Sequence, residues 1–129
     1  MRYYIATKLE NHAAHNRLRD ILNNAGHECT YDWTVHGPVY KSGLQRIEEV
    51  AQLEHQGVFD ADMVIMLWPG GRGTHVELGM GIALKKTCVI ISDVDAHHEA
   101  TTETCAFYHH PFVEMYKTTN AFLSKLTPS

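Results

Sequence analysis

One stretch constrains the fold of this chain more than any other. Ala61-Asp62-Met63-Val64-Ile65-Met66-Leu67-Trp68 is an almost unbroken apolar run, followed at once by Pro69-Gly70-Gly71-Arg72-Gly73-Thr74-His75-Val76-Glu77-Leu78-Gly79. A run this short, bounded by turn residues, reads as a strand buried on both faces, with a helix over residues 74–84 opening from the turn. Such a strand needs helices above and below it, which is the arrangement of a parallel α/β sheet.

The rest of the sequence repeats that alternation. Tyr3-Tyr4-Ile5-Ala6 reads as the first strand. Ala14, Leu18, Ile21, Leu22 and Ala25 then recur at helical spacing, and Gly26 ends the helix. Residues 27–31 form a short second strand and residues 32–40 a loop containing Gly37-Pro38. Leu44, Ile47, Val50 and Ala51 mark one face of a second helix that runs to about residue 57. Residues 87–91 form a fourth strand, 92–110 a polar loop, 112–115 a short fifth strand and 118–126 a closing helix. Right-handed crossovers leave few ways to connect these elements. The expected fold is a single flavodoxin-like or Rossmann-like α/β domain over residues 1–129. Its five-stranded parallel sheet has the order 2-1-3-4-5, with helices on both faces. The switch point then lies between strands one and three, so the loops after Ala6 and Leu67 face one crevice.

A net charge of −4 argues against a general nucleic-acid binder, which needs a basic surface. No signal-peptide pattern opens the sequence and no apolar run reaches about 18 residues, so the expected setting is cytoplasmic, with no membrane partner. Cys29, Cys88 and Cys105 are odd in number and form no CxxC pair, which excludes a full disulfide framework. Among ten histidines, His97-His98 and His109-His110 are adjacent, but no HExxH or comparable metal spacing appears. Neither a metal nor an organic cofactor is expected.

The glycine turn combines free backbone N–H groups with Arg72 and Glu77. Gly71, Gly73 and Thr74 at a helix N-terminus, with Arg72 beside them and Thr7 and Lys8 from the loop after strand one, form a candidate cradle for a phosphate. Glu77 has two readings. Thr74-His75-Val76-Glu77 fits a capping box, in which glutamate reaches back to the helix start. A cap, however, does not require three glycines and an arginine at the same crevice, and a glutamate there is also a candidate nucleophile. Asp62 opens the third strand; it reads as a solvated strand end, about 16 Å from the glycine turn at 3.3 Å per residue, or as an active-site acid in another register. Asp32 ends the second strand between Tyr31 and Trp33, aromatics able to stack on a planar base or simply to cover the loop. The chain lacks both GxGxxG after its first strand and GxxxxGK[ST], which argues against dinucleotide folds and Walker-type nucleotide hydrolases.

Tyr3-Tyr4-Ile5-Ala6-Thr7, Ala61-Asp62-Met63-Val64 and Gly73-Thr74-His75-Val76-Glu77-Leu78-Gly79, with Ala83 after it, resemble the nucleoside 2-deoxyribosyltransferase-like superfamily. That superfamily includes deoxynucleoside 5′-monophosphate N-glycosidases. The resemblance implies that Glu77 is the nucleophile at the anomeric carbon, Asp62 an active-site aspartate, and Tyr3 a tyrosine near the sugar. It implies a small-molecule nucleoside or nucleotide as partner. It also implies an oligomer, a homodimer by preference, in which a neighbouring subunit closes the pocket through the loop around Thr104-Cys105-Ala106-Phe107-Tyr108. Transferases of the family often carry another acid where Gly71 or Arg72 stands here, and Arg72 favours a 5′-phosphate instead. Pro69-Gly70-Gly71-Arg72-Gly73-Thr74-His75-Val76-Glu77 also resembles the PGGxGTxxE motif of cytokinin riboside monophosphate phosphoribohydrolases, which likewise cleave an N-glycosidic bond. The expected activity is retaining cleavage of the N-glycosidic bond of a nucleoside 5′-monophosphate, by hydrolysis or transfer, with Asp62 or Asp32 assisting the departing base. The rivals are a transferase of unphosphorylated nucleosides, a nucleotide sensor without chemistry, and a partner-binding domain.

Overall fold

The computed structural model describes residues 1–126. Its elements alternate as the sequence leads one to expect: β1 (Arg2–Ala6), α1 (His12–Asn24), β2 (Glu28–Cys29), α2 (Leu44–Asp60), β3 (Met63–Leu67), α3 (Arg72–Ala83), β4 (Thr87–Ile91), β5 (Val113–Tyr116) and α4 (Thr119–Leu126). All strand pairs are parallel, and the sheet order is β2-β1-β3-β4-β5. The expected five-stranded α/β domain is the one observed. Among the described residues, no helix is long and apolar enough to cross a membrane.

The core has two halves because the central strands are buried on both faces. Tyr4, Ala6, Val64, Met66, Cys88 and Ile90 pack with Val58 of α2 and Leu78 of α3. Tyr3, Ile5, Ile65, Leu67, Val89 and Ile91 face the other way, onto Leu18 and Leu22 of α1 and Phe122 of α4. Successive residues of one strand therefore serve opposite layers.

Element boundaries differ from the expectation where short-range signals compete. The second strand shrinks to two residues, since only Arg2 and Tyr3 pair with it. Helix α2 extends to Asp60, past Gly57. Gly26, at φ +92°, follows α1 as its left-handed stop. The two long loops are not featureless: short 3-10 turns occupy Trp33–Val35, Tyr40–Ser42, Asp95–His98 and Ala106–His109.

The carboxyl ends of β1 and β3 are stitched together. The Lys8 N–H donates to the Pro69 carbonyl at 3.1 Å, and the Thr7 hydroxyl donates to the same oxygen at 3.0 Å. This junction is the switch point of the sheet, because β2 lies to one side of β1 and β4 beyond β3.

Candidate active site

A cavity of about 540 Å³ opens over that junction. Thr7 and Lys8 line it from the loop after β1, Gly71 to Thr74 and Glu77 from the turn before α3 and its first two turns, Glu54 from α2, and Trp33, His36 and Tyr40 from the loop after β2. The volume suits a ligand of nucleotide size.

At the mouth, α3 begins at Arg72, two residues earlier than its sequence suggests. Thr74 is not the cap. Gly71 is, and its N–H donates to the Thr74 hydroxyl at 3.0 Å. Thr74 thus takes the reaching-back role that the capping-box pattern gave to Glu77. The amides of Arg72, Gly73 and Thr74 belong to the first turn, where helical N–H groups have no intrahelical acceptor. Arg72 and Lys8 are exposed beside them, and among the described residues neither enters an ion pair within 4.0 Å. Three donors, a helix dipole and two cations at one point favour an anion.

On the floor, Glu77 lies one turn further into α3 and is 7% exposed. Burial pushes its carboxyl well above the usual range. The charge of Glu54 adds to that, and a hydrogen bond donated by the Tyr4 hydroxyl opposes it. Glu54 is also raised, chiefly by burial, and lines the same cavity as Glu77. Two carboxyls that share one cavity, one of them buried, oppose each other's ionisation. Such a pair can hold a proton on one member while the other stays free to attack or to stabilise positive charge.

The structure gathers Glu77, Thr7, Lys8, Trp33, Gly71, Arg72, Gly73 and Thr74 around one cavity. It places the other expected residues elsewhere. Asp62 sits at the amino end of β3, exposed, and accepts from the Arg2 N–H at 2.8 Å. The side chain of Tyr3 lies on the opposite face of the sheet, where its hydroxyl donates to Asn23 Oδ1 at 2.6 Å. Its neighbour Tyr4 is the tyrosine that meets Glu77. Asp32 is turned away from the cavity toward Arg19, whose Nη1 lies 2.6 Å from Oδ2. Burial opposes its charge, but hydrogen bonds from Thr34 and Arg19 hold its carboxyl below the usual range. Tyr108 is buried and hydrogen-bonds to His75 rather than lining the cavity. Among the described residues no three His, Cys, Asp or Glu side chains come together as a metal site.

Tyr4 and Glu54 are the residues that sequence reasoning missed. A signal for Glu54 existed: Val50, Glu54 and Val58 recur every four residues, and both valines are buried. An acid on the apolar stripe of a helix is out of place unless it faces a site. The ring of Tyr4 fits because Gly57 of α2 has no side chain: a Cβ there would lie 3.0 Å from Tyr4 Cδ2 and 2.8 Å from Tyr31 Cβ.

Comparison with curated protein sequences gives no match. Among solved structures, the CMP N-glycosidase BcmB of Clostridium botulinum is similar, with a TM-score of 0.63 over 98% of this chain and 98% of that one, at 18% identity. At that identity the likeness establishes the fold. The family model described as nucleoside 2-deoxyribosyltransferase matches residues 3–118. That match runs through the strand carrying Tyr4, the helix carrying Glu54 and the helix carrying Glu77, and the chain belongs to this family of enzymes acting on the N-glycosidic bonds of nucleosides or nucleotides.

Proposed function

We propose that the protein cleaves the N-glycosidic bond of a nucleoside 5′-monophosphate by a retaining route, with Glu77 as nucleophile and Glu54 as the acid that serves the base. The observation that carries this reading is Glu77, held by the Tyr4 hydroxyl, together with Glu54 in the lining of one cavity whose mouth holds Lys8, Arg72 and a helix N-terminus. The phosphate binds at the mouth, which sets the sugar above Glu77.

In this mechanism the pair holds one proton. That proton moves to Glu54, and the Tyr4 O–H steadies the ionised Glu77. Glu77 attacks the anomeric carbon through an oxocarbenium-like transition state while the bond to the base nitrogen breaks. The electron pair leaves with the base, and Glu54 supplies its proton. Water then attacks the anomeric carbon of the glycosyl-enzyme, Glu54 takes the water's proton, and Glu77 departs as carboxylate. The sum is nucleotide plus water giving sugar phosphate plus free base. A second base in place of water gives transfer, the reaction in the family's description. The base binds along Trp33, His36 and Tyr40, which line the same cavity from the loop after β2.

The test is release of free base from a panel of ribo- and deoxyribonucleosides and their 5′-monophosphates. Monophosphates are the expected substrates. Arg72→Ala should lower kcat/KM for them about ten- to a hundredfold, from a charge-assisted contact of roughly 1.5–3 kcal/mol, and leave nucleosides unchanged. An equal loss on both substrates would move the phosphate away from Arg72. Binding of monophosphates without release of base would make the protein a sensor.

A further inference from the structure

The glycine turn is held from behind by a side chain that does not line the cavity. His75 Nδ1 lies 2.7 Å from the Gly71 carbonyl oxygen, and His75 Nε2 lies 2.7 Å from the Tyr108 hydroxyl. A carbonyl only accepts, so Nδ1 carries the proton. In the neutral ring Nε2 is then a bare acceptor, and Tyr108 donates to it. The two rings stack with centroids 5.8 Å apart, and His97 packs edge-on against Tyr108 at 5.6 Å. His97 is fixed in turn by Ser92, 2.8 Å from its Nδ1, and by the edge of Trp68. The chain of contacts joins the loop between β4 and β5 to the turn between β3 and α3.

The Gly71 carbonyl and the Arg72 N–H belong to one planar peptide unit and point in opposite directions. Fixing the carbonyl against His75 therefore aims the Arg72 N–H out of the helix end, into the crevice. The backbone bond from His75 N to the same oxygen is longer, at 3.2 Å, so the imidazole is the closer restraint on this peptide.

We infer that His75, oriented by Tyr108, is a positioning residue that sets the anion-binding peptide of the glycine turn and thereby the preference for a phosphorylated substrate. The inference rests on the phosphate reading above. It gives Tyr108 an indirect part in substrate binding, within its own chain, in place of a direct contact.

Three variants of the full chain test it. His75→Phe keeps a ring but removes both hydrogen bonds, and should raise KM for the monophosphate about two- to tenfold, the range of one hydrogen bond. Its kcat, and both constants for the nucleoside, should hold. His75→Asn places an amide donor near the old Nδ1 and should restore most of the loss. Tyr108→Phe should give a smaller change of the same sign. A lower Tm for His75→Phe with an unchanged monophosphate-to-nucleoside ratio would overturn the proposal, as would an Asn variant no better than Phe. If the wild type shows no preference for monophosphates, the phosphate reading itself fails. The restraint is then read from hydrogen exchange of the Gly71 amide, which Thr74 protects. Exchange faster in Phe than in Asn keeps the restraint, and equal exchange removes it.

Discussion

Tyr3 and Tyr4 are adjacent, identical in type and both fully buried, yet they belong to different parts of the protein's work. Tyr3 points to the α1–α4 layer. Its hydroxyl donates to the neutral Asn23 side chain, with the Arg19 carbonyl at 3.2 Å. Tyr4 points to the α2–α3 layer and donates to a buried acid. Burial pushes both phenols well above their usual value. Burial and residue type therefore do not separate a structural tyrosine from one at a site. The partner does. Around Tyr3 a neutral donor meets neutral acceptors; around Tyr4 an acid is buried beside a second, half-buried one, which costs stability and is the arrangement of a candidate reactive group.

The largest effect that would sharpen this contrast is that of Glu77→Gln. Turnover should fall by at least about a thousandfold, as for loss of a nucleophile. Stability should move the other way. Glu77's folded pKa lies above its ordinary value of 4.5, so its contribution is fully present below that pH and is lost as pH rises through the folded value. The part of wild-type stability that Glu77 contributes should decline as pH rises above 4.5. The variant should melt higher at pH 8, with the gap closing toward pH 5. A glutamine variant less stable than wild type at pH 8 would break the claim that this layer is destabilised by its acids.

Glu54→Gln is expected to come next, with kcat reduced about a hundred- to a thousandfold, within the range of general acid–base catalysis. The basic limb of the pH–rate profile, which reports loss of the shared proton, should go with it. Retention of that limb would assign the proton to another group.

The tyrosines themselves give the direct test. Tyr4→Phe removes a hydrogen bond to a charged group, worth about 1.5–3 kcal/mol in the transition state, and should slow turnover about ten- to a hundredfold. Tyr3→Phe should leave kcat/KM unchanged and cost about 1 kcal/mol of stability, a fall in Tm of about 3–5 °C. If the two variants behaved alike, the division between layers would fail. Asp62→Asn should show the smallest effect. Its amide oxygen still accepts from the Arg2 N–H, so activity should stay within about twofold and stability within about 0.5 kcal/mol.

These cases also show what can be read from sequence. The sheet order follows from alternating helical and strand-like periods, because parallel strands must be joined by helices, and those periods are local. Glu77 stands out because its neighbours are unusual. The face of Tyr4 is hidden for a physical reason: in a strand buried on both sides, Tyr3-Tyr4-Ile5-Ala6 shows no polar alternation to mark inside from outside. Asp62 lies at the wrong end of β3, and the rise per residue already argued against it. Glu54 shares α2 with Glu48 and Glu49, and in the sequence only its place on the stripe of Val50 and Val58 sets it apart from these acids. The sequence places the start of α3 too late because Thr74-His75-Val76-Glu77 and Gly71-Arg72-Gly73-Thr74 are both plausible starts, and the hydrogen bond forms in the second, from the Gly71 N–H to the Thr74 hydroxyl.

The cramped space beside Gly57 bears on how this protein can be engineered for heat tolerance. Replacing helix glycines with alanine is a common stabilising strategy, since glycine inside a helix costs roughly 0.5–1 kcal/mol relative to alanine. At Gly79 in α3 a new methyl would meet nothing within 4 Å, and the usual gain should follow. At Gly57 the same methyl would press on the Tyr4 ring, whose hydroxyl is hydrogen-bonded to Glu77. Alanine there should trade catalytic competence for helix propensity, at a position that carries no reactive group of its own.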